Sequence, residues 1–149
     1  DLLYQEYSER LSEFASRVHG GSKYKSENIV WTLLKDVLKD PAYDLLEVVS
    51  QVRLRDLMPD TDRLNERQKK FVRSTSAVDF AIYHKVSKRM LLAIEVNGTE
   101  YHEDNPEQQA RDELKAQIIS VYGADMLSLR TNDSNIESMI RDRLDRILA

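Results

Sequence analysis

The sequence contains no cysteine, only three prolines and four glycines, and no low-complexity tract. Without cysteine the chain can form neither a disulfide nor a thiolate metal site. No apolar run approaches the ~18 residues that a membrane-spanning helix requires, and the first residues do not follow the pattern of a signal peptide. A cytoplasmic location is therefore the default expectation.

The net charge of −4 argues against a protein that holds nucleic acid through bulk positive charge, because phosphate contacts need local lysine and arginine. Basic residues nevertheless form two clusters, which are either solvated surface or a face for nucleic acid. The first cluster contains Arg53, Arg55, Arg63, Arg67, Lys69, Lys70 and Arg73, and the second contains Lys85, Lys88 and Arg89. An acidic metal site would itself lower the net charge, so the value does not exclude a nuclease.

The length of 149 residues fits one compact α/β domain. Within residues 1–149 we expect an N-terminal packing helix over 1–20, a core over 26–131 and a C-terminal helix over 134–149. The chain begins at Asp1 instead of methionine, and an amphipathic segment follows at once. We therefore expect it to be a piece of a longer protein.

Apolar periodicity predicts both helices and strands. Spacings of three and four residues predict helices, whereas β-branched or alternating runs predict strands. Ser26 is the predicted N-cap of the second helix, and Asn132 or Ser134 opens the last. Pro106 suits a first helical turn, and Gly123 stops the same helix. The predicted helices cover residues 2–18, 26–38, 106–122 and 134–147, the predicted strands 45–57, 78–83, 89–96 and 125–130, and residues 61–76 form a short helix or an ordered loop.

The order of these elements predicts a mixed four-stranded sheet. The strands over 78–83 and 89–96 are close enough in sequence to form an antiparallel hairpin. A helix between the strands over 89–96 and 125–130 is a crossover connection, which sets those two strands parallel and adjacent. Helices on both faces of the sheet then give a three-layer α/β/α arrangement.

Two carboxylates stand inside the hairpin strands. Asp79 lies in the run Val78-Asp79-Phe80-Ala81-Ile82-Tyr83, and Glu95 lies in Met90-Leu91-Leu92-Ala93-Ile94-Glu95-Val96. Burial of an acidic side chain in an apolar strand is unfavourable unless a cation or a hydrogen bond compensates it. Two such residues on paired strands can share a divalent ion, so the pair predicts a metal site. A structural salt bridge is the alternative for either residue alone.

Further residues follow this pair in a distinctive order. They are Glu27 on a helix, Asp79 in a strand, Ala93-Ile94-Glu95-Val96-Asn97-Gly98 in the next strand, His102, Gln109-Ala110-Arg111-Asp112, Lys115, Gly123 and Leu129-Arg130. This order resembles the PD-(D/E)xK nuclease superfamily, and more closely its very-short-patch-repair-endonuclease-like branch. The likeness covers residues 26–131. It is greatest to the small, poorly characterised members of that branch that often sit beside helicase-type domains.

The resemblance implies a restriction-endonuclease-like fold and hydrolysis of phosphodiester bonds in DNA, with Mg²⁺ or Mn²⁺ as cofactor. Asp79 and Glu95 would be metal ligands, and the backbone carbonyl of Val96 would complete the protein part of the shell. Glu27 would reach the site from its helix, directly or through water. A glutamate in the first turn of a helix also simply complements the helix dipole.

Asn97 departs from the family pattern, because the superfamily usually places lysine at this position and this branch often aspartate. The lysine orients the attacking water and stabilises charge on the phosphate, whereas an amide supplies no charge. Lys115 or Gln109, on the crossover helix, is the candidate replacement. Residues three, four and seven positions before Lys115 share its helical face: Asp112, Arg111 and Gln108. An exposed helix lysine is the alternative reading.

Four other residues have candidate roles by the same resemblance. His102 would line the site, with a surface or loop-packing histidine as the alternative. Gln109, Arg111 and Arg130 would contact substrate, although Arg130 is also well placed to support a carboxylate through an ion pair.

Three hypotheses about function follow. The leading one is a Mg²⁺-dependent DNA endonuclease or nuclease module in DNA processing or repair, working with DNA and with a helicase-type domain in the same or a neighbouring chain. The second is a nucleic-acid-binding or interaction module that keeps the nuclease fold without turnover, which Asn97 favours. The third is a structural interaction module that docks through its outer helices.

Overall fold

The computed structural model of the chain describes residues 23–58, 60–74, 76–97, 105–130 and 134–149. The helix predicted over residues 2–18 lies outside the described residues. Helices and strands follow one another as α1 (Lys23–Val37), a 3-10 helix (Pro41–Tyr43), β1 (Leu46–Arg53), α2 (Leu54–Leu57), α3 (Glu66–Arg73), β2 (Ala77–His84), β3 (Met90–Asn97), α4 (Pro106–Val121), β4 (Asp125–Arg130) and α5 (Ile136–Leu148).

The four strands form one mixed sheet in the order β1-β2-β3-β4, flanked by helices. Strands β1 and β2 pair antiparallel, with Val49 opposite Ala81, and β2 pairs antiparallel with β3, with Ala81 opposite Ala93. A bulge between Ile82 and Tyr83 shifts the second pairing near the turn. The predicted α/β class, the antiparallel hairpin and the central mixed four-stranded sheet are confirmed.

Three predicted boundaries are wrong. Ser26 is not an N-cap, because α1 already begins at Lys23 and residues 23–25 contain no glycine or proline that would prevent this. The first strand ends at Arg53 instead of residue 57, since Leu54 is fully buried and starts the short helix α2. The last helix begins at Ile136, after Asn135, and therefore later than either predicted cap.

The described residues fall into two compact units. The first contains the described parts of residues 1–44, 96–101 and 128–149, and the second contains those of 45–95 and 102–127. The prediction of a single domain remains a prediction.

In the first unit, polar side chains link the 3-10 helix to α5. The hydroxyl of Tyr43, a buried residue, donates to Asp145 Oδ1 at 2.6 Å. Arg141 binds Asp40 at 3.0 Å and Glu137 at 3.2 Å, so one guanidinium joins the N-cap of the 3-10 helix to α5. Burial raises the pKa of Tyr43, and the hydrogen bond to Asp145 raises it further.

The second unit has its own apolar core. Its buried members come from α2, α3, the sheet and α4, and they are Leu54, Met58, Leu64, Val72, Val78, Ala81, Met90, Ala93, Leu114, Ile118, Ile119 and Ala124. Because Leu114, Ile118 and Ile119 recur at helical spacing, one face of α4 is fixed against this core.

Both ends of α4 follow the sequence prediction closely. The side chain of Asn105 accepts hydrogen bonds from the backbone N–H groups of Glu107 and Gln108, and Pro106 occupies the first turn. At the other end Gly123 has φ +81°, a left-handed conformation that glycine adopts at helix C-termini. The start, the phase and the end of α4 are therefore set by local sequence.

No helix among the described residues is long and apolar enough to span a membrane.

We expect Gly123→Ala to lower the free energy of unfolding by about 1 kcal/mol, because an L-residue is strained in the left-handed region. A Cβ at this position would also lie 2.5 Å from Nη2 of Arg89, so the arginine would have to move. Urea unfolding of the two proteins measures the loss. Gly123→Asn is the matched control and should lose less, since asparagine tolerates this backbone conformation better. Equal losses for alanine and asparagine would contradict the backbone explanation.

Candidate carboxylate and lysine site

The site is built on the two central strands. The register that pairs Phe80 with Ile94 places Asp79 opposite Glu95 one step further along. Both side chains are buried, Asp79 with 3% and Glu95 with 9% of its surface exposed. Two carboxylates are thus held side by side in a part of the sheet whose other residues are mainly apolar.

A lysine from α4 approaches this pair. Lys115 Nζ lies 2.5 Å from Glu95 Oε1 and also donates to the backbone carbonyl of Ala77 at 2.8 Å. The two side chains of the ion pair expose only 14% and 11% of their surfaces. The ammonium group therefore bridges β2 and β3 from the helix and offsets part of their buried negative charge.

Burial raises the pKa of Glu95 from its ordinary 4.5 to about 7. The Lys115 cation acts in the opposite direction, while the charge and hydrogen bonding of Asp79 add to the increase. The net increase means that Lys115 does not fully offset the effects of burial and of Asp79 on Glu95. Such a site favours either a shared proton or an additional cation.

The face of α4 around Lys115 agrees with the helical spacing in the sequence. Gln108 Nε2 donates to Asp112 Oδ1 at 3.0 Å, and Arg111 Nη2 lies 3.5 Å from Gln108 Oε1. Arg111 and Gln109 are exposed to solvent. Of these helix residues, Lys115 is the one that the structure shows in contact with Glu95.

The remaining predicted site residues lie in different parts of the chain. Val96 is buried in β3 directly after Glu95, and Asn97 ends the same strand half-buried. Glu27 is buried in α1 of the first unit, with 3% of its surface exposed. Arg130 ends β4 and is half-buried. His102 lies outside the described residues.

Two features of the site had not been predicted. The carbonyl of Ala77 accepts from Lys115, and a backbone acceptor of this kind has no sequence signature. Gln51 lies on β1 between Ser50, which pairs with Phe80, and Val52, which pairs with Val78, and it has φ +53°, which is rare for a non-glycine residue. No glycine or turn motif in the sequence marks that position.

The fold and site define an α/β protein whose mixed sheet carries a buried carboxylate pair beside a helix-borne lysine. A family model described as "Protein of unknown function (DUF2726)" matches residues 23–147, and the chain belongs to this family. No curated protein and no solved structure matches the chain. What the site does must therefore be argued from its own residues.

The raised pKa of Glu95 predicts a pH-dependent stability. Below pH 4.5 the carboxyl is protonated in both the folded and the unfolded protein, so it has no effect. As the pH rises to about 7, only the unfolded state releases the proton, and folding loses about 3 kcal/mol from this group. Urea unfolding from pH 4 to 8 without divalent cations should show the decrease, and Glu95→Gln should reduce it. An equal slope in both proteins would contradict the assignment.

We expect Lys115→Met to lower the free energy of unfolding at pH 8 by about 3 kcal/mol, because it leaves a buried carboxylate without its cation. At pH 5 the loss should be smaller, since Glu95 is then protonated and needs no counter-charge. Urea unfolding at both pH values measures the difference. Lys69→Met is the matched control, because Lys69 pairs with the exposed Glu66 and its removal should have little effect at either pH. A loss independent of pH would indicate that Lys115 contributes only packing.

Proposed function

We propose that this chain is a metal-dependent nuclease module that hydrolyses phosphodiester bonds in DNA. The observation that carries the proposal is the burial of Asp79 and Glu95 on adjacent strands, with the amine of Lys115 held against Glu95. The nuclease superfamily that the sequence resembles has the same two carboxylates. It usually also has a lysine near them, at the position that Asn97 occupies here.

The carboxylate pair fits a hard divalent cation. Mg²⁺ prefers carboxylate oxygens, retains several waters and is commonly held by only one or two protein carboxylates. Asp79 and Glu95 are the proposed pair of side-chain ligands; within the described ranges no group of three or more His, Cys, Asp or Glu residues is placed to hold a metal.

Bound Mg²⁺ would supply neutralisation of charge on the phosphate and a lower pKa for a water molecule. The reaction itself adds water to a phosphodiester and yields a phosphate monoester and a free hydroxyl. An ionised carboxylate has acceptor oxygens and no donor, so the role of Asp79 and Glu95 would be to hold the cation.

In this proposal Lys115, on α4, replaces the strand lysine of the superfamily that the sequence resembles. Its ammonium has three N–H donors, and Glu95 and Ala77 accept two of them. We propose that the third donor faces a phosphate oxygen or the attacking water. Because Ala77 and Glu95 fix the amine from two strands, it would contribute a preorganised positive charge of the kind that stabilises a phosphoryl transition state.

The other roles implied by the resemblance belong to the same proposal. These are the Val96 carbonyl as a ligand, Glu27 and His102 as further groups of the site, a neutral hydrogen bond from Asn97, and substrate contacts by Gln109, Arg111 and Arg130. DNA is the proposed substrate, and a helicase-type domain in the same or a neighbouring chain is the proposed partner.

Cleavage of labelled single-stranded, duplex, flapped and mismatched DNA with Mg²⁺ or Mn²⁺ tests the proposal. We expect activity that requires the metal and falls about a hundredfold or more in Asp79→Asn and in Lys115→Gln, because the first change removes a metal ligand and the second removes a positive charge beside the phosphate. Glu113→Gln removes an exposed carboxylate from α4 and should leave activity unchanged. If Lys115 replaces the strand lysine, Asn97→Lys should restore part of the activity lost in Lys115→Gln.

Thermal unfolding with and without Mg²⁺ separates catalysis from binding. Suppose that the metal stabilises the protein but not the Asp79→Asn variant, and that no DNA is cleaved. This result would favour the second hypothesis, a nucleic-acid-binding module without turnover, which Asn97 favours. If Mg²⁺ neither stabilises the protein nor supports cleavage, the metal site is overturned. Lys115 and Glu95 would then be a structural ion pair.

A further inference from the structure

A cavity of about 440 Å³ lies in the second unit, away from the carboxylate pair. Its residues come from α2, from the segment between α2 and α3, from the turn between β2 and β3, and from the end of α4. They are Asp56, Leu57, Met58, Arg63, Lys88, Arg89, Met90 and Tyr122. Met90 begins β3 five residues before Glu95, which corresponds to roughly 17 Å along an extended strand.

The lining of the cavity contains residues from both basic clusters of the sequence. Arg63 belongs to the first cluster, and Lys88 and Arg89 belong to the second. Asp56 is the acidic residue of the lining, so three positive charges face one negative charge in a protein whose net charge is −4. Among the described residues, no ion pair joins Arg63, Lys88 or Arg89 to a carboxylate.

Neighbouring residues constrain two of the cationic side chains and the turn that carries Lys88. The Arg63 guanidinium lies 5.3 Å from the centre of the Tyr122 ring. Arg89 Nη2 occupies the space that a side chain at Gly123 would fill. In the turn, His84 Nδ1 accepts from the N–H groups of Val86 and Ser87, and Lys88 has φ +62°. A flexible, solvated basic surface would not need these constraints.

The rest of the lining is apolar or aromatic. Leu57, Met58 and Met90 provide apolar surface, and Tyr122 provides a ring. The volume falls within the range of small-molecule sites, which combine an apolar wall with a few charged groups that orient the ligand. An inorganic anion alone would leave this wall unused, whereas an anion attached to an organic body would use both parts.

We propose that this cavity binds a nucleotide through a terminal phosphate monoester, either free or at the 5′ end of a nucleic acid strand. Two arginines and a lysine match a phosphate dianion, because guanidinium groups bind phosphate oxygens in pairs and the local charge is positive. The apolar wall and Tyr122 then face the sugar and the base. The proposal does not depend on metal binding or on catalysis at Asp79 and Glu95.

Calorimetric titration of the full chain without divalent cations tests this site. The probes are AMP, adenosine, inorganic phosphate and a short oligothymidylate with either a 5′-phosphate or a 5′-hydroxyl. We expect AMP to bind more tightly than both adenosine and phosphate, and the phosphorylated oligonucleotide to bind more tightly than its hydroxyl form. If AMP alone binds, the ligand is a free nucleotide, and if the phosphorylated strand binds more tightly than AMP, the ligand is a strand end.

Charge variants distinguish the cavity from general attraction. Arg63→Gln and Arg89→Gln should each weaken the binding of AMP about tenfold or more, because each removes a charge-assisted hydrogen bond. Lys85→Gln is the matched control, since Lys85 lies in the same turn and does not line the cavity, and it should change affinity little. Asp56→Asn should strengthen binding. Gly123→Ala should weaken it with all charges retained, because Arg89 must move.

Several results would overturn the proposal. One is that neither AMP nor the phosphorylated strand binds at millimolar concentration. Another is that ligands with and without the phosphate bind equally well. The third is that Lys85→Gln and Arg89→Gln lose the same affinity for AMP. A loss in Asp79→Asn with no loss in Arg89→Gln would place the nucleotide at the carboxylates instead. Urea unfolding of each variant shows whether it is folded, and Asp56→Asn tests the site through a gain that misfolding cannot imitate.

Discussion

The second unit depends on how negative charge is compensated inside its sheet. Two carboxylates on adjacent strands would repel each other and lose hydration if nothing opposed them. Lys115 opposes them with one positive charge, which binds Glu95 and the carbonyl of Ala77 together. The exposure of the ion pair is low enough that water screens it only weakly. The position of α4 is therefore an electrostatic requirement as well as a packing requirement.

Two sites of opposite character share this unit. The carboxylate pair concentrates negative charge among buried strand residues, whereas the cavity beside Tyr122 concentrates positive charge over an apolar wall. The net charge of −4 averages over both and describes neither. The local distribution of charge therefore says more about ligands than the total does: the ligand proposed for one site is a divalent cation, and the ligand proposed for the other is a phosphate.

Local sequence signals accounted for much of the fold and of the site. The periodicity of β2 and β3, Pro106 and Gly123 were sufficient to predict the hairpin and α4, because these signals act over a few residues. The family resemblance, together with helical spacing, made Lys115 a candidate beside Gln109 for the lysine that is missing at position 97. Three features were not predictable: the contact of Lys115 with Ala77, the left-handed backbone at Gln51, and the presence of Arg63 and Arg89 in the lining of one cavity. Each depends on segments far apart in sequence, and a single sequence does not contain their relative positions.

Lys115 comes from α4 and not from the hairpin that carries the carboxylates, and this affects the order in which the second unit folds. Lys115 is 20 residues beyond Glu95 and 38 beyond Ala77, whereas the carboxylates meet across a hairpin. Hairpins close quickly, and contacts between distant segments form later because longer loops must close. We therefore expect the like charges of Asp79 and Glu95 to oppose the early hairpin. Docking of α4 would then be the event that removes this barrier and makes the strand pairing persist.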